Sequence, residues 1–334
     1  MNILVVRQHN QIGDMLCSLS LYKAIKKKYP NSHITLVAAK TNYDIPYFDI
    51  NPYIDRVIVY DKSSLKAILN FFTQIRERKY DYGFVPSTIA LSRTSHLVNF
   101  LSGASKRIGV NSINGVKNKS SYLLNLKSDF NWKGKHQQIR NLEIARIAGF
   151  DLFDEELKDI KFEFTQDEIS IAKNHLSKLF IDNSKRIIAF HPGAGKKQNI
   201  WPTNYFFELI LKLKAEFDIS VLFTTGKIDK PIIDELSEKM HNSNVSFSLL
   251  ENNVSIRQQS AILSLVSLYI TNDTGSMHIA GFGRAKMISL FGPTDPKEWC
   301  PEYEKSYFIK SNSGKIEDIS IEQVYQLAKK ILKD

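Results

Sequence analysis

Residues 268–293 read LYITNDTGSMHIAGFGRAKMISLFGP, and this stretch decides the fold class. The apolar runs 268–270 and 287–291 are typical of buried strands, and the segment 275–283 between them has a helical pattern. A strand, a helix and a second strand in this order form a βαβ unit, whose strands lie parallel in one sheet. The stretch therefore predicts an α/β domain with the polar residues 271–274 in the loop that follows a strand.

The same alternation extends through the rest of the second half of the chain. Apolar runs at 186–190 and 220–223 predict two further strands. Ligands of such sheets bind beyond the carboxyl ends of the strands, so the loops that follow the strands are the first candidates for a site. Helical patterns occupy about 204–216, 230–240 and 256–265, and we expect a last helix, about 319–332, to pack back toward the first half of the chain.

A second series of strands and helices fills the first half. The polar, basic segment 111–135 has weak periodicity and is predicted as a mobile excursion with short helices. The acidic cluster 151–156 marks the approach to a linker, so we divide the chain into two doubly wound domains, 1–160 and 161–334, facing each other across a cleft. Apolar runs predict strands at 3–6, 34–38, 57–60 and 82–85, and helical patterns lie at 14–28, 64–78 and 137–148.

The composition excludes several classes of protein. With 334 residues, 43% of them hydrophobic and 24% charged, the chain is not wholly disordered. It has no apolar run of roughly 18 residues that would span a membrane, and its N-terminus lacks the pattern of a secretory signal. Cys17 and Cys300 give neither a disulfide framework nor a zinc pattern. We therefore expect a cytoplasmic protein.

Positive charge is concentrated in the first half. Residues 1–150 contain 22 Lys and Arg against 9 Asp and Glu, whereas residues 151–334 contain 23 against 26. Such an asymmetry indicates an acidic partner for the first half, which would be nucleic acid, an anionic membrane or an anionic substrate. A lysine-rich surface without a specific partner is the alternative.

The loop 271–278 is the most informative of the strand ends. Small hydroxyl residues follow the strand, and a helix is predicted to start at Gly275 or Ser276. Backbone N–H groups and the dipole at a helix start form an anion site that suits a diphosphate. His278 lies in the first turn, where it can donate to a phosphate oxygen. A buried histidine without a ligand is the alternative for this residue.

The loop 191–197, HPGAGKK, also follows a predicted strand. Its small residues let a phosphate group approach the backbone, and Lys196 and Lys197 can neutralise the charge. The GxxxxGK[ST] spacing of a P-loop is absent, which argues against Mg-dependent nucleotide hydrolysis. A glycine-rich turn with exposed lysines is the alternative. The rigid turn 291–296 is either a structural loop or a further contact of the site.

In the first half, the loop that ends at Gly13 and Asp14 follows the first strand. Gly13 allows backbone angles that other residues resist, and Asp14 projects from a helix start at the carboxyl edge of the sheet. An aspartate at a helix start is also good capping chemistry, so a purely structural role remains open.

Four stretches resemble glycosyltransferase family 9, the lipopolysaccharide heptosyltransferase family. The run NDTGSMHIAGFGRAKMISLFGPTDPKEW is similar to the C-terminal signature of that family, and VVRQHNQIGDMLCSLSLYKAIKKKYP is similar to its opening. HPGAG with the later Trp-Pro pair matches the start of its second domain. YDYGFVPST, with Ser92 and Arg93, resembles its fourth strand and the loop that follows. The resemblance covers nearly the whole chain, with the stretches in the family's order.

The resemblance implies a GT-B fold of two Rossmann-like domains, with the acceptor on the first and the nucleotide sugar on the second. It implies that Asp14 is the general base, and that Gly13, Ser92 and Arg93 contact the acceptor. The family usually has a lysine two residues before the Trp-Pro pair, where this sequence has Asn199. Lys196 or Lys197 would then supply the charge. The implied donor contacts also include Asp273, Thr274, Gly275, Ser276, His278 and Asp229.

The residues and the resemblance together predict an inverting, metal-independent glycosyltransferase. It would transfer a sugar, heptose from ADP-heptose, to an anionic lipopolysaccharide or lipooligosaccharide core acceptor at the inner face of the cytoplasmic membrane. We expect no cofactor, no metal and no nucleic-acid partner. One alternative is another GT-B nucleotide-sugar enzyme with a different donor or a 2-epimerase activity. A basic protein that binds nucleic acid or a membrane surface is the other, but it leaves the strand-end motifs unused.

Overall fold

The structure is a computed structural model that describes residues 1–7, 11–40, 45–179, 185–226, 228–250 and 254–333. The chain divides into two compact units, Met1–Ile160 and Lys161–Asp334. Each unit is built around one sheet in which nearly all neighbouring strands are parallel, because helices connect most of the consecutive strands.

The sheet of the first unit is assembled around its N-terminal strand. Its strands are β1 (Asn2–Val6), β2 (His33–Ala39), β3 (Arg56–Tyr60), β4 (Tyr82–Phe84), β5 (Lys106–Ile113), β6 (Val116–Lys117) and β7 (Leu126–Phe130). The order is β3-β2-β1-β4-β5-β6, and β7 also pairs with β5. Ile3 of β1 lies opposite Ile34 of β2 and Tyr82 of β4. The central strand is thus apolar and buried on both faces, as parallel strands usually are.

The first helix of the first unit begins two residues earlier than the sequence pattern predicts. The first helix starts at Ile12, so that Asp14 lies inside its first turn, and Gln11 is the N-cap. A short interruption at Ser18 separates it from the second helix. The helices are α1 (Ile12–Cys17), α2 (Leu19–Lys28), α3 (Tyr47–Ile50), α4 (Leu65–Arg76), α5 (Arg93–Leu101), α6 (Gln137–Arg146) and α7 (Asp154–Lys158).

The second unit repeats the architecture with an all-parallel sheet. Its strands are β8 (Arg186–His191), β9 (Ile219–Thr224), β10 (Ser248–Leu250), β11 (Leu268–Asn272), β12 (Met287–Phe291) and β13 (Ser306–Lys310). Their order is β10-β9-β8-β11-β12-β13. The helices are α8 (Gln166–Lys178), α9 (Thr203–Glu216), α10 (Lys230–Asn242), α11 (Ile256–Ser264), α12 (Gly275–Phe282), α13 (Pro296–Trp299) and α14 (Ile321–Lys333).

Apolar clusters lie on both faces of the second sheet. One cluster contains buried residues of α9, α10 and α14, and the other contains residues of α8, α11 and α12. The C-terminal helix α14 contributes Val324, Ala328 and Ile331 to the first of these clusters, so its apolar side packs into the core of its own unit. No helix in the described ranges combines the length and the apolar character that crossing a bilayer requires.

Both sheets change winding direction at a defined pair of strands. In the first unit the direction of strand addition changes between β1 and β4, and in the second unit between β8 and β11. Open α/β sheets bind their ligands at such a switch point, beyond the carboxyl ends of the strands. The sequence motifs at Asp14, 191–197 and 271–278 all follow strands that flank these two points.

Several elements differ from the sequence prediction. The segment 111–135, predicted as an excursion with short helices, contains one short 3-10 turn at Ser121–Leu123, but it also contains the strands β6 and β7, which were not predicted. The strands β7, β10 and β13 lie toward the edges of their sheets, where many side chains are not buried. Their sequences therefore lack the continuous apolar runs by which the central strands were found. The helices α5 and α8 were not predicted.

Candidate functional site

The side chain of Asn272 joins the two loops that follow β8 and β11. Its Nδ2 donates to the carbonyl oxygen of Pro192 at 2.8 Å and to that of Gly193 at 3.3 Å. Its Oδ1 accepts from the backbone N–H of Trp201 at 3.2 Å. Asn272 is fully buried, so water cannot reach its amide, and these bonds supply the hydrogen-bond partners that the amide needs.

The carboxylate of Asp273 is held by neutral donors from two other loops. Thr294 Oγ1 and Asn199 Nδ2 both donate to Asp273 Oδ2, the second at 3.0 Å. Asn199 Nδ2 also lies 3.2 Å from the backbone oxygen of Asp273. Burial raises the pKa of Asp273 above its usual value, while these bonds and the charge of Lys196 act in the opposite direction. Asn199 thus holds this carboxylate in place, and we call this contact the clamp.

The two lysines of the 191–197 loop are not equivalent. Both side chains are exposed, and the positive charge of Lys196 acts to lower the pKa of Asp273. Lys197 opens the 3-10 turn Lys197–Asn199 that carries the clamp. Of the two charges predicted to replace the family lysine, Lys196 is therefore the one that acts on the Asp273 carboxyl.

The first turn of α12 begins directly after Asp273. Thr274 is the N-cap and makes no side-chain capping bond to the helix. Asp273, Thr274 and Gly275 are half-buried, whereas Ser276 and His278 are buried. His278 packs its ring against Trp299, with 6.1 Å between the ring centroids. The turn has the uncapped N–H groups and the positive dipole end that attract an anion.

A chain of buried polar groups runs beneath this turn. Ser276 Oγ lies 2.6 Å from the Tyr269 hydroxyl, which lies 3.3 Å from Thr224 Oγ1. His191 Nδ1 is 2.9 Å from the same Thr224 oxygen, and its Nε2 is 3.5 Å from Asp229 Oδ2. Burial raises the pKa of Tyr269 to about 12, so its hydroxyl stays protonated and is able to donate. Burial also lowers the pKa of His191, which favours its neutral form.

Asp229 is buried at the other end of this chain. Its Oδ2 accepts from the backbone N–H of Gly226 at 2.6 Å, and its carboxylate packs against Gly193. A Cβ at Gly193 would lie 2.1 Å from Asp229 Cγ, so glycine is required for this close approach. The predicted contact between Asp229 and the donor stays a prediction; in this structure Asp229 joins the loops after β8 and β9.

In the first unit, Asp14 belongs to a buried charged cluster. Arg7 Nη2 lies 3.8 Å from Asp14 Oδ1, and Arg7 Nη1 donates to Asn141 Oδ1 at 2.9 Å. Asn141 Nδ2 in turn donates to the backbone oxygen of Gln137 in α6. The Asp14 carboxylate therefore lies beside a guanidinium that is itself anchored to a neighbouring helix. Gly13, the residue before it, is buried in α1.

A small pocket lies at the switch point of the first sheet. Arg7 connects this pocket to Asp14, since it lines the pocket and lies beside the carboxylate. Ser92, the N-cap of α5, also lines the pocket, while Arg93 follows it as an exposed residue. The remaining lining residues are Val6, Val85, Pro86, Ser87, Thr88, Ile89, Ala90 and Ser95.

Sequence reasoning found the strand-end loops but missed several of their partners. Arg7 and Asn141 are 134 residues apart, and neither was a candidate. Thr294 lies in the turn 291–296, which was left open as a structural loop. Tyr269 and Thr224 lie in strands. An isolated hydroxyl residue within an apolar run is the one sequence signal for such a buried network of polar groups.

Comparison with known proteins identifies the family. The sequence profile of glycosyltransferase family 9 (heptosyltransferase) matches residues 68–329. The chain belongs to glycosyltransferase family 9. The match extends over both units and includes the loops around Asn199 and Asp273.

Relatives within family 9 cover the chain to different extents. The lipooligosaccharide heptosyltransferase 2 of Haemophilus influenzae is 24% identical over 95% of this chain and 90% of that protein. The lipopolysaccharide heptosyltransferase 2 of Escherichia coli K12 is 23% identical over 94% of this chain and 89% of that protein. The matched part of the chain spans only 54% of the lipooligosaccharide heptosyltransferase 2 of Campylobacter jejuni serotype O:2, with 25% identity.

Solved structures of family 9 share the GT-B fold with this chain. The ADP-heptose lipopolysaccharide heptosyltransferase II of Escherichia coli has a TM-score of 0.77 with 22% identity, covering 100% of this chain and 99% of that one. A family 9 protein from Veillonella parvula has a TM-score of 0.80 with 18% identity, covering 99% and 97%. A UDP-GlcNAc 2-epimerase from Methanocaldococcus jannaschii reaches 0.56 with 13% identity, covering 100% and 93%. These likenesses establish the fold.

The packing of Asp229 against Gly193 predicts unequal effects of two glycine substitutions. Gly193→Ala should destabilise the second unit by about 1–3 kcal/mol, because the new Cβ overlaps the Asp229 carboxylate. Gly195→Ala is the matched control, since its Cβ would meet nothing within 4 Å. Urea unfolding of both variants measures the difference. Equal stability of the two, or no recovery when Asp229→Ala is added to Gly193→Ala, would contradict the packing argument.

Proposed function

We propose that the protein is an inverting, metal-independent glycosyltransferase that transfers heptose from ADP-heptose to an anionic lipopolysaccharide or lipooligosaccharide core acceptor. The observation that carries the proposal is the uncapped first turn of α12 directly beside the clamped carboxylate of Asp273. Family membership supports the reaction class, and the names of the full-length relatives support the sugar and the type of acceptor.

The donor's diphosphate would bind at the first turn of α12. The N–H groups after Thr274 and the positive end of the helix dipole suit its charge. Lys196 adds a mobile cation on the exposed loop beside them. As the bond from the sugar to the diphosphate breaks, negative charge develops on the leaving oxygen, and groups already aimed at that position lower the barrier. The protein's own dipoles and lysine would thus do the work that a metal ion does in other transferases.

Asp273 would fix the sugar end of the donor. Thr294 and Asn199 hold its carboxylate in one position, so that it is prepared to accept bonds from sugar hydroxyls without rearrangement. The buried chain from Ser276 to Tyr269 in turn fixes the first turn of α12. His278, buried in the same turn, would donate to a phosphate oxygen.

Asp14 would act as the general base. It takes the proton of the acceptor hydroxyl while the acceptor oxygen attacks the anomeric carbon and the nucleoside diphosphate leaves with the bonding electron pair. Because the attack comes from the side opposite the leaving group, the anomeric configuration inverts. Arg7, anchored by Asn141, places a positive charge 3.8 Å from the Asp14 carboxylate. General-base catalysis of this kind contributes roughly 10²–10⁴-fold to the rate.

The first unit would bind the acceptor. It contains 23 Lys and Arg against 14 Asp and Glu, whereas the second unit contains 22 against 21. An excess of positive charge favours an anionic glycolipid. Gly13, Ser92 and Arg93 are its proposed contacts near the pocket that Arg7 lines. We place the reaction at the cytoplasmic face of the inner membrane, without a nucleic-acid partner.

A panel of nucleotide sugars tests donor and metal requirement together. In buffer that contains EDTA, ADP-heptose should raise the unfolding temperature more than UDP-hexoses or free nucleotides do, because a ligand of the native state alone stabilises it. Transfer to a core acceptor in the same buffer should proceed at the rate seen without chelator. A larger shift with another donor, or activity lost in EDTA and restored by Mg²⁺ or Mn²⁺, would refute the corresponding part of the proposal.

Replacement of the proposed base should separate chemistry from binding. Asp14→Asn preserves the shape of the side chain but removes the proton acceptor, so transfer should fall by roughly 10²-fold or more. Donor affinity, measured by calorimetry, should stay unchanged. Asp49→Asn, in α3 of the same unit, is the control and should remain active. An Asp14→Asn protein that retains most of its activity would leave Asp14 with a structural role only.

The two loop lysines should differ in their effect on donor binding. Lys196→Ala should weaken nucleoside-diphosphate binding by about tenfold to a hundredfold, the range for loss of a charge-assisted bond worth roughly 1.5–3 kcal/mol. Lys196→Arg should retain most of the affinity because it keeps the charge. Lys197→Ala is the matched control and should change affinity less than about twofold. Equal losses in the two alanine variants would show that the loop acts only through its total charge.

A further inference from the structure

The helices α4 and α5 lie side by side over one face of the first sheet. Phe71 and Ile75 of α4 and Val98 of α5 are buried in one apolar cluster with β1. Both helices connect parallel strands of this sheet, so they run in the same direction. Arg76, at the end of α4, donates from its Nε to the backbone oxygen of Leu101 at the end of α5. The two helices are therefore neighbours, and their C-terminal ends are in contact.

Large apolar side chains occupy that outer surface. On α4, Leu65 is 73% exposed and Leu69 is 60% exposed, one turn apart. On α5, Leu97 is 47% and Phe100 is 45% exposed, with the same alignment along the helix. A single exposed leucine is ordinary, but aligned apolar residues on two adjacent helices form a patch of the kind that marks an interaction site.

The patch continues beyond α5 to the 3-10 turn Ser121–Leu123. The guanidinium of Arg107 lies over the ring of Phe100, 5.3 Å from its centroid, and its Nε donates to the backbone oxygen of Leu123. Tyr122 in this turn is 78% exposed. We call the surface formed by α4, α5 and this turn the outer face of the first unit.

The charge of the outer face has one sign. The helix α4 contains no Asp or Glu, and neither does the whole segment 82–128, which contains six Lys and Arg residues. Lys66 on α4 and Lys119, two residues before the turn Ser121–Leu123, are exposed. Aliphatic, aromatic and basic side chains are thus interleaved without acidic ones, which is the composition of surfaces that lie on anionic bilayers.

We propose that the outer face docks the protein on an anionic lipid bilayer, with Leu65, Leu69, Leu97, Phe100 and Tyr122 entering the interfacial region and the lysines contacting lipid phosphates. The proposal deepens the location given under the proposed function and rests on it for the biological setting, because it names the surface and the class of lipid. A nucleic-acid surface is less suited to this face, since exposed leucines gain nothing from phosphate contacts or base stacking.

Co-sedimentation of the full-length protein with vesicles tests the proposal. At about 0.1 M salt, where surface charges interact over roughly 10 Å, the protein should bind vesicles of equal parts phosphatidylcholine and phosphatidylglycerol, and bind phosphatidylcholine alone at least tenfold more weakly. Lys66→Glu with Lys119→Glu should weaken binding at least tenfold, because each basic residue contributes about a fivefold factor at such a surface. Leu65→Ser with Leu69→Ser should weaken it at least fivefold.

A matched variant on the second unit controls for general effects of these changes. Ile171 on α8 is 48% exposed and Lys173 beside it is exposed, so Ile171→Ser with Lys173→Glu makes the same chemical changes outside the outer face. This variant should bind vesicles as the unchanged protein does. Equal binding to both vesicle types, or equal losses in the control and in the outer-face variants, would overturn the proposal.

Two further measurements separate docking from transfer and from binding to other polyanions. Transfer to a water-soluble core fragment should be unchanged in the outer-face variants; absence of transfer in every protein would refute the proposed function but leave docking standing. Duplex DNA should compete with vesicles only weakly. If DNA binds as tightly as the anionic vesicles and the leucine variants bind DNA and vesicles alike, the face is a general polyanion site and lipid docking is refuted.

Discussion

The amide of Asn272 is the contact on which the site of the second unit depends. It ties the loop after β8 to the end of β11 by donating to Pro192 and Gly193 and accepting from Trp201. An amide can do this because it donates and accepts at once, whereas a carboxylate or a lysine would leave one side unsatisfied. Because these bonds hold the loop after β8 against the end of β11, they also fix the position of Asp273 and of the start of α12, which come directly after Asn272.

The sequence predicted the fully buried strands of both sheets, but it missed β5 inside the first sheet and several strands toward the edges. The strands β1, β8, β11 and β12 are buried on both faces, so their apolar runs are long enough to recognise. At the edges, β7 has three consecutive exposed residues and no such run, and β6, the antiparallel partner of β5, is two residues long. An edge strand forms mainly because its backbone pairs with the free N–H and C=O groups of the neighbouring strand. The sequence of the edge strand itself does not show where those groups lie.

A similar division applies to the candidate site. Loops after strands are visible in sequence because small and polar residues follow an apolar run, and this located Asp14, Asp273 and the first turn of α12. The partners that give these residues their geometry are distant: Asn199 and Asp273 are 74 residues apart. The charge asymmetry was also overdrawn by dividing the chain at 150, since the acidic residues just beyond belong to the first unit. The geometry of the site and the charge of each unit therefore both depend on residues that are close in space, and not on those that are close in sequence.

The close approach of Gly193 and Asp229 has a consequence for how this loop can change during evolution. The space beside Gly193 is filled by the carboxylate of Asp229, which also closes the turn at Gly226. A side chain at 193 therefore becomes acceptable only after a smaller residue has replaced Asp229, and that loss in turn frees the Gly226 turn. Asp229 must therefore be replaced before Gly193 can be. The intermediate protein would lack the bond from Gly226 to Asp229, so its loop after β9 would be less tightly held.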